Sequence, residues 1–111
     1  MTTPFVWQGR IDAEEPGPSP RWHQQVQPFA ATSQGGVALI GFAVDEGVRR
    51  NGGRVGAAQG PQAIRQALAN LPVLGEPPLW DAGDVACTGG DLDAAQAALG
   101  QRVAQALAPG C

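Results

Sequence analysis

The sequence predicts an α/β fold, because two apolar, β-rich segments alternate with two segments of helical periodicity. The run from Gly36 to Phe42 is continuously apolar and bounded by glycines, which is typical of a strand buried on both faces of a parallel sheet. A second, shorter strand is predicted at residues 78–85. Helices are predicted at 60–70 and at 91–108. The order strand, helix, strand, helix indicates an α/β unit.

Both predicted helices have recognisable starts and apolar faces. Pro61 occupies the first turn of the earlier helix, where a missing N–H is tolerated. Ile64 and Leu68 follow on one face. Asp91 is a suitable N-cap for the later helix. The apolar positions of that helix follow helical spacing: Leu92, Ala95, Leu99, Val103 and Leu107.

Residues 1–35 are predicted to form an extended arm, because five prolines with polar neighbours interrupt regular structure. The arm contains four large apolar residues that we expect to anchor it to the body of the protein: Phe5, Trp7, Trp22 and Phe29. The remaining residues, 36–111, are predicted to form an α/β domain. We expect that domain to be incomplete, since two strands leave exposed sheet edges.

Composition excludes several functions. Ten acidic and seven basic residues give a net charge of −3, which argues against nucleic acid or an anionic membrane as a partner. Every basic residue is Arg, so neither a P-loop lysine nor a Schiff-base lysine is present. Two cysteines are too few for a disulfide framework. We see no secretory signal and no membrane-spanning run, and we expect a cytoplasmic protein.

The segment from Ala43 to Gly60 is predicted to be a long loop with three arginines, and Arg65 follows in the next helix. It leaves the carboxyl end of the first strand, where ligands bind in open α/β sheets. Because Arg can bind a carboxylate through two hydrogen bonds, one interpretation is the wall of a site for an acidic substrate. The other is a structural loop whose arginines bind carbonyls, Asp45 or Glu46. The residues alone leave both interpretations open.

Metal chemistry has little support in the sequence. Asp81 and Asp84 form a D-A-G-D string at the predicted end of the second strand, and paired carboxylates can bind a metal or transfer protons. No His accompanies them, so a turn in which Asp binds backbone N–H groups is favoured. His23, the only histidine, lies in the arm, where we expect an exposed or arm-docking role.

Six segments, in order along almost the whole chain, carry a family resemblance. They are W-Q-G-R-I-D at 7–12, R-W-H-Q at 21–24, V-A-L-I-G-F-A-V-D-E-G-V-R-R-N-G-G-R-V-G-A-A-Q-G-P-Q-A-I-R at 37–65, A-L-A-N-L-P at 67–72, D-A-G-D-V at 81–85 and D-L-D-A-A-Q at 91–96. Together they resemble the formimidoylglutamases, within the ureohydrolase (arginase) family. The G-x-R-x-G-x-x-x-G-P-x-x-I-R frame is shared loosely with agmatinases and arginases, whereas D-E-G-V-R-R-N points to formimidoylglutamase.

The resemblance implies the N-terminal part of a three-layer α/β/α arginase-like fold with a central parallel sheet. It also implies hydrolysis of N-formimidoyl-L-glutamate, a small-molecule substrate, to L-glutamate and formamide in histidine degradation. Two manganese ions are implied as cofactors, activating a bridging hydroxide. The family's metal ligands lie in G-G-G-H, D-A-H-x-D and a later D-x-D motif. This sequence contains neither of the first two, so we assign no metal ligand and no catalytic residue.

By their position in the loop, Asn51, Arg54 and Arg50 are the candidates for residues near the substrate. We expect the chain to be an N-terminal fragment of a metal-dependent hydrolase of linear amidines, inactive alone. The alternative is a short, non-catalytic binding or subunit-docking module of the same fold. A homo-oligomer is compatible with either hypothesis.

Overall fold

The computed structural model describes residues 5–11, 20–75 and 77–110. Four α-helices are described, with a 3-10 turn at Ala57–Gln59: α1 (Trp22–Gln25), α2 (Glu46–Arg50), α3 (Gly60–Ala69) and α4 (Leu92–Leu107). The three strands are β1 (Gln27–Pro28), β2 (Val37–Ala43) and β3 (Leu79–Ala86). They form a parallel sheet in the order β1-β3-β2. The predicted α/β class is confirmed.

The four elements predicted within the α/β domain are present, with ends that differ by only a few residues. Strand β2 begins and ends one residue later than expected, and β3 ends at Ala86. Helix α3 has Pro61 in its first turn, as predicted. Asp91 caps α4 by accepting a hydrogen bond from the Ala94 N–H at 3.0 Å. Pro61 and Asp91 were sufficient to predict where these helices begin, because each residue affects the backbone of the helix turn next to it.

The helices α3 and α4 lie on opposite faces of the sheet. Phe42 of β2 packs in a cluster with Ala95 of α4. A side chain at the preceding residue, Gly41, would instead meet Pro61 of α3. Since neighbouring residues of a strand face opposite sides, the sheet is covered on both faces. The result is a three-layer arrangement, as the resemblance implied.

Regular structure that the sequence analysis did not predict occurs at residues 22–28, within the predicted arm. Helix α1 forms there, and β1 then adds a third strand, with Gln27 paired with Trp80 of β3. Sequence periodicity could not reveal a two-residue strand, because its formation depends on the edge that β3 offers. The Trp7 indole Nε1 donates to Asp81 Oδ2 at 2.8 Å, which confirms Trp7 as an anchor. Residues 1–4 and 12–19 of the predicted arm lie outside the described residues.

The D-A-G-D string is not a turn at the end of a strand. It lies inside β3 and forms a bulge: Leu39 pairs with Asp81 and Gly41 pairs with Asp84, so β3 contains one residue more than β2. Gly83, at φ +76°, supplies the left-handed conformation that the bulge needs. Asp81 Oδ1 does accept from the Gly83 N–H at 2.9 Å, so the expected backbone contact is present.

In the part of the chain that the structure describes, no helix is both long enough and apolar enough to cross a membrane.

Candidate functional site

The carboxyl ends of β2 and β3 lie side by side, with Ala43 paired with Ala86. The segments that follow them, 44–59 and 87–91, therefore leave from the same edge of the sheet. In parallel α/β sheets this edge is where ligands bind. We take these two segments as the candidate site.

The predicted loop at 43–60 contains more regular structure than expected. It begins with the short helix α2 and ends with the 3-10 turn before α3. Gly52, at φ +72°, ends α2: its N–H donates to the Arg49 carbonyl at 3.1 Å, and that of Gly53 to the Val48 carbonyl at 2.9 Å. This pair of bonds is a Schellman motif, which places glycine in the left-handed conformation just after a helix.

Glu46 binds the two arginines of α2. Its carboxylate is buried and accepts hydrogen bonds from Arg49 Nε at 2.8 Å and from Arg50 Nε at 3.0 Å. The hydrogen bond from Arg49, and then that from Arg50, lowers the pKa of Glu46 from 4.5 to about 2. The interpretation of these arginines as structural partners of Glu46 is therefore correct for both.

Arg50 also connects the two segments of the site. Its Nη2 donates to the Gly90 carbonyl at 3.0 Å, across from the segment that follows β3. Gly90 has φ +75°, and a Cβ there would lie 3.6 Å from Glu46 Oε1. The 3.6 Å separation is an ordinary van der Waals contact, so it is the left-handed backbone conformation that favours glycine at this position.

Asp45 closes the segment that holds the candidate residues. It precedes α2, but its side chain does not cap that helix. Instead its Oδ1 accepts from the Gly56 N–H at 2.9 Å and from the Ala58 N–H at 2.8 Å. One carboxylate oxygen therefore ties residue 45 to the start of the 3-10 turn, eleven residues further along the chain.

The three residues predicted to lie near the substrate are all in this segment, but only one of them has side-chain partners there. Arg50 is held by Glu46 and Gly90. Asn51 and Arg54 are exposed, and their side chains form no hydrogen bond or ion pair with residues 5–11, 20–75 or 77–110. Arg54 thus presents an uncommitted guanidinium at the carboxyl edge of the sheet.

Arg65 does not belong to the loop site. Only 4% of the residue is exposed, and it lies between the two aspartates of β3: Nη2 is 3.0 Å from Asp81 Oδ1 and Nη1 is 2.7 Å from Asp84 Oδ1. Burial alone would lower the pKa of Arg65, but Asp84 and Asp81 together raise it above its usual value. Sequence reasoning missed this cluster, although two strand aspartates without a neighbouring cation signalled the need for one.

The described residues do not form a site for manganese. None of them belongs to a group of three or more His, Cys, Asp or Glu side chains that could hold a metal ion. A D-x-D string does occur at 91–93, but Asp91 caps α4 and Asp93 is exposed in its first turn. His23 Nε2 lies 2.8 Å from the Arg10 carbonyl, a contact between two residues of the predicted arm.

Comparison with known proteins places this geometry in a family. The model of the arginase family matches residues 35–111. The formimidoylglutamase of Chromobacterium violaceum is 59% identical over 105 residues, which cover 95% of this chain and 34% of that protein.

Two further formimidoylglutamases extend the similarity. That of Aeromonas salmonicida is 54% identical over 107 residues, which cover 95% of this chain and 34% of that protein. That of Paraburkholderia xenovorans is 46% identical over 117 residues, covering 99% of this chain and 36% of that protein. The chain therefore spans about a third of the length of the curated relatives it matches. The matched family and the α/β/α architecture agree: this chain belongs to the arginase family.

Proposed function

We propose that this chain contributes the first strands and helices of a formimidoylglutamase, which hydrolyses N-formimidoyl-L-glutamate to L-glutamate and formamide. The observation that carries the proposal is the 59% identity to a formimidoylglutamase over 95% of the chain. Residues 45–59, with D-E-G-V-R-R-N at their start, follow β2 at the carboxyl edge of the sheet, the edge at which parallel α/β sheets bind ligands. The proposal includes a place in histidine degradation and in the cytoplasm.

Within this function, Arg54 is proposed to bind a carboxylate of the substrate, with Asn51 beside it. Formimidoylglutamate carries two carboxylates, and a free guanidinium can bind one through two hydrogen bonds. Arg54 is exposed and has no competing partner in the described part of the chain, so its guanidinium is available. Arg50 is already shared between Glu46 and Gly90, and we propose that it contributes positive charge and holds the two segments together.

The proposed enzyme requires two manganese ions, which the described residues do not fit. The chain of 111 residues by itself is therefore proposed to be inactive.

The proposal is tested with a chimaera, in which this chain replaces the matching third of the Chromobacterium violaceum protein. We expect the chimaera to release glutamate and formamide from formimidoylglutamate in the presence of manganese, and the 111-residue chain to release neither. Glutamate is measured with a coupled dehydrogenase assay. A folded chimaera that binds manganese but releases no glutamate would contradict the proposed function.

The proposed role of Arg54 has its own control within the chimaera. Arg54→Ala should raise KM roughly 10-fold to 100-fold, the range expected for loss of hydrogen bonds to a charged group. Gln62→Ala, at an exposed position of α3, should leave KM unchanged. An unchanged KM in Arg54→Ala would remove Arg54 from the site without affecting the proposed reaction.

A further inference from the structure

Arg54 has a fixed backbone and an uncommitted side chain. On its N-terminal side, the Schellman motif holds Gly53 through the Val48 carbonyl at 2.9 Å. On its C-terminal side, only Val55 separates it from Gly56, whose N–H is bound by Asp45 at 2.9 Å. A charged residue at the exposed tip of a segment is thus held between two fixed points.

The second fixed point depends on one side chain. Asp45 Oδ1 binds the N–H groups of both Gly56 and Ala58, and hydrogen bonds to a carboxylate are stronger than those between neutral groups. Asp45 is itself placed by the end of β2, since it lies two residues after Ala43. Asp45 therefore connects the backbone next to Arg54 to the end of strand β2.

We infer that Asp45 is a positioning residue, which fixes Arg54 at the carboxyl edge of the sheet for binding a carboxylate of the substrate. The role of Arg54 rests on the proposed function, whereas the attachment of the segment by Asp45 does not. A segment ordered before binding loses less conformational entropy when the ligand arrives, so affinity is higher. Without Asp45, Gly56 and Ala58 would lose the side-chain contact that attaches residues 54–58 to the end of β2.

The attachment is tested by amide hydrogen exchange in the 111-residue chain and in the chimaera. Asp45→Ala should speed exchange of the Gly56 and Ala58 amides by about tenfold or more, the change expected from loss of a charge-assisted hydrogen bond. Asp45→Asn keeps an accepting oxygen and should retain part of the protection. Asp93→Ala removes an exposed acid of α4 and should change neither amide. Equal exchange in Asp45→Ala and in the unchanged chain would overturn the inference.

The link to Arg54 is tested by a double-mutant cycle in the chimaera. Asp45→Ala alone should raise KM for formimidoylglutamate about fivefold to tenfold, with a smaller change in kcat. In the Arg54→Ala background the same change should have little further effect, because the residue that it positions is gone. An equal rise in KM in both backgrounds would show that Asp45 acts independently of Arg54, and would overturn the inference.

The two proposals fail in different ways. If the unchanged chimaera is folded but inactive, the proposed function fails, while the exchange measurement still decides whether Asp45 holds the segment. If the chimaera is active and Asp45→Ala leaves both exchange and KM unchanged, the proposed function stands and the positioning role of Asp45 is excluded.

Discussion

At the scale of single residues, Arg65 is a buried cation that pairs with two aspartates of β3. Arg65 is one of three buried polar residues among those described, together with Ser33 and Glu46. It donates to both aspartates of β3, and its Nη2 also donates to the Gly83 carbonyl at 3.1 Å. Arg65 therefore joins α3 to the bulge of β3. Trp7 reaches the same Asp81, so the arm depends on this cluster as well.

We predict that Arg65→Ala lowers the free energy of unfolding of the chimaera by about 3–5 kcal/mol, because two carboxylates lose their buried partner. The lower end is expected, since Asp84 is 22% exposed and can recover some hydration. The midpoint of thermal unfolding measures the effect, with Gln66→Ala, on the exposed side of α3, as the control. If Arg65→Ala lowered the free energy of unfolding no more than the control does, the ion pairs of Arg65 with Asp81 and Asp84 would not stabilise the fold.

Glu46 gives a prediction about pH. Its pKa is about 2 when folded and 4.5 in the unfolded reference, so above pH 4.5 the carboxylate is ionised in both states and its contribution to stability is complete. As the pH falls from 4.5 to about 2, the unfolded state gains a proton that the folded state resists. The contribution is progressively lost over that range.

An NMR titration of the Glu46 carboxyl group measures this directly. We expect a midpoint near 2, and a shift towards 4.5 in Arg49→Gln, which removes the guanidinium with the largest effect. The difference in the free energy of unfolding between the unchanged chain and Glu46→Gln should become smaller as the pH falls from 4.5 to about 2. A midpoint near 4.5 in the unchanged chain would mean that neither arginine binds Glu46 in solution.

At the scale of elements, prediction from sequence worked where local chemistry decides the structure. The glycine-bounded apolar run of β2, Pro61 of α3 and Asp91 of α4 each act on their own neighbours. The strand β1 and the bulge in β3 could not be predicted in this way. Both depend on which strand lies alongside, a relation that periodicity does not contain.

The candidate site was predicted only in outline. Its location after β2 followed from the general rule for open α/β sheets, and the pairing of Arg49 and Arg50 with Glu46 was one of two interpretations of the charges. The roles of Asp45 and Gly90 were not foreseen. Asp45 binds backbone N–H groups and the Gly90 carbonyl accepts from the Arg50 side chain, in each case far along the chain, and no spacing in the sequence encodes such a contact.

Two glycines provide a matched prediction about packing between elements. A Cβ at Gly41 would overlap Asp84 Oδ1 and lie 2.7 Å from the Pro61 Cβ, so Gly41→Ala should destabilise the chimaera by about 1–3 kcal/mol. At Gly100, within α4, an added Cβ meets nothing within 4 Å. Gly100→Ala should therefore stabilise by about 0.5–1 kcal/mol, through helix propensity. Thermal midpoints that move in the same direction would contradict this account of the α3–β2 contact.

At the scale of the whole molecule, the described residues form a thin core. The buried apolar side chains are those of valines and alanines with one leucine, Leu79, and no large side chain is fully buried among the residues described. Strand β2 lies at one end of the sheet order. Beside it runs an apolar groove of about 410 Å³, along which Ile64 of α3 remains 62% exposed. Much of the apolar surface of α3 and β2 is therefore not covered by these residues.

This core predicts how the 111-residue chain unfolds. The slope of the unfolding free energy against urea concentration scales with the surface that unfolding exposes, and is typically about 1–3 kcal/mol per molar for small proteins. Since little large apolar surface is buried in the described part of the chain, we expect a broad transition with a slope below about 1 kcal/mol per molar. The chimaera should unfold more sharply. Circular dichroism during a urea titration measures both. A steep, cooperative transition of the chain alone would instead favour an independently folded binding or docking module, since such a module must form its own two-state unit.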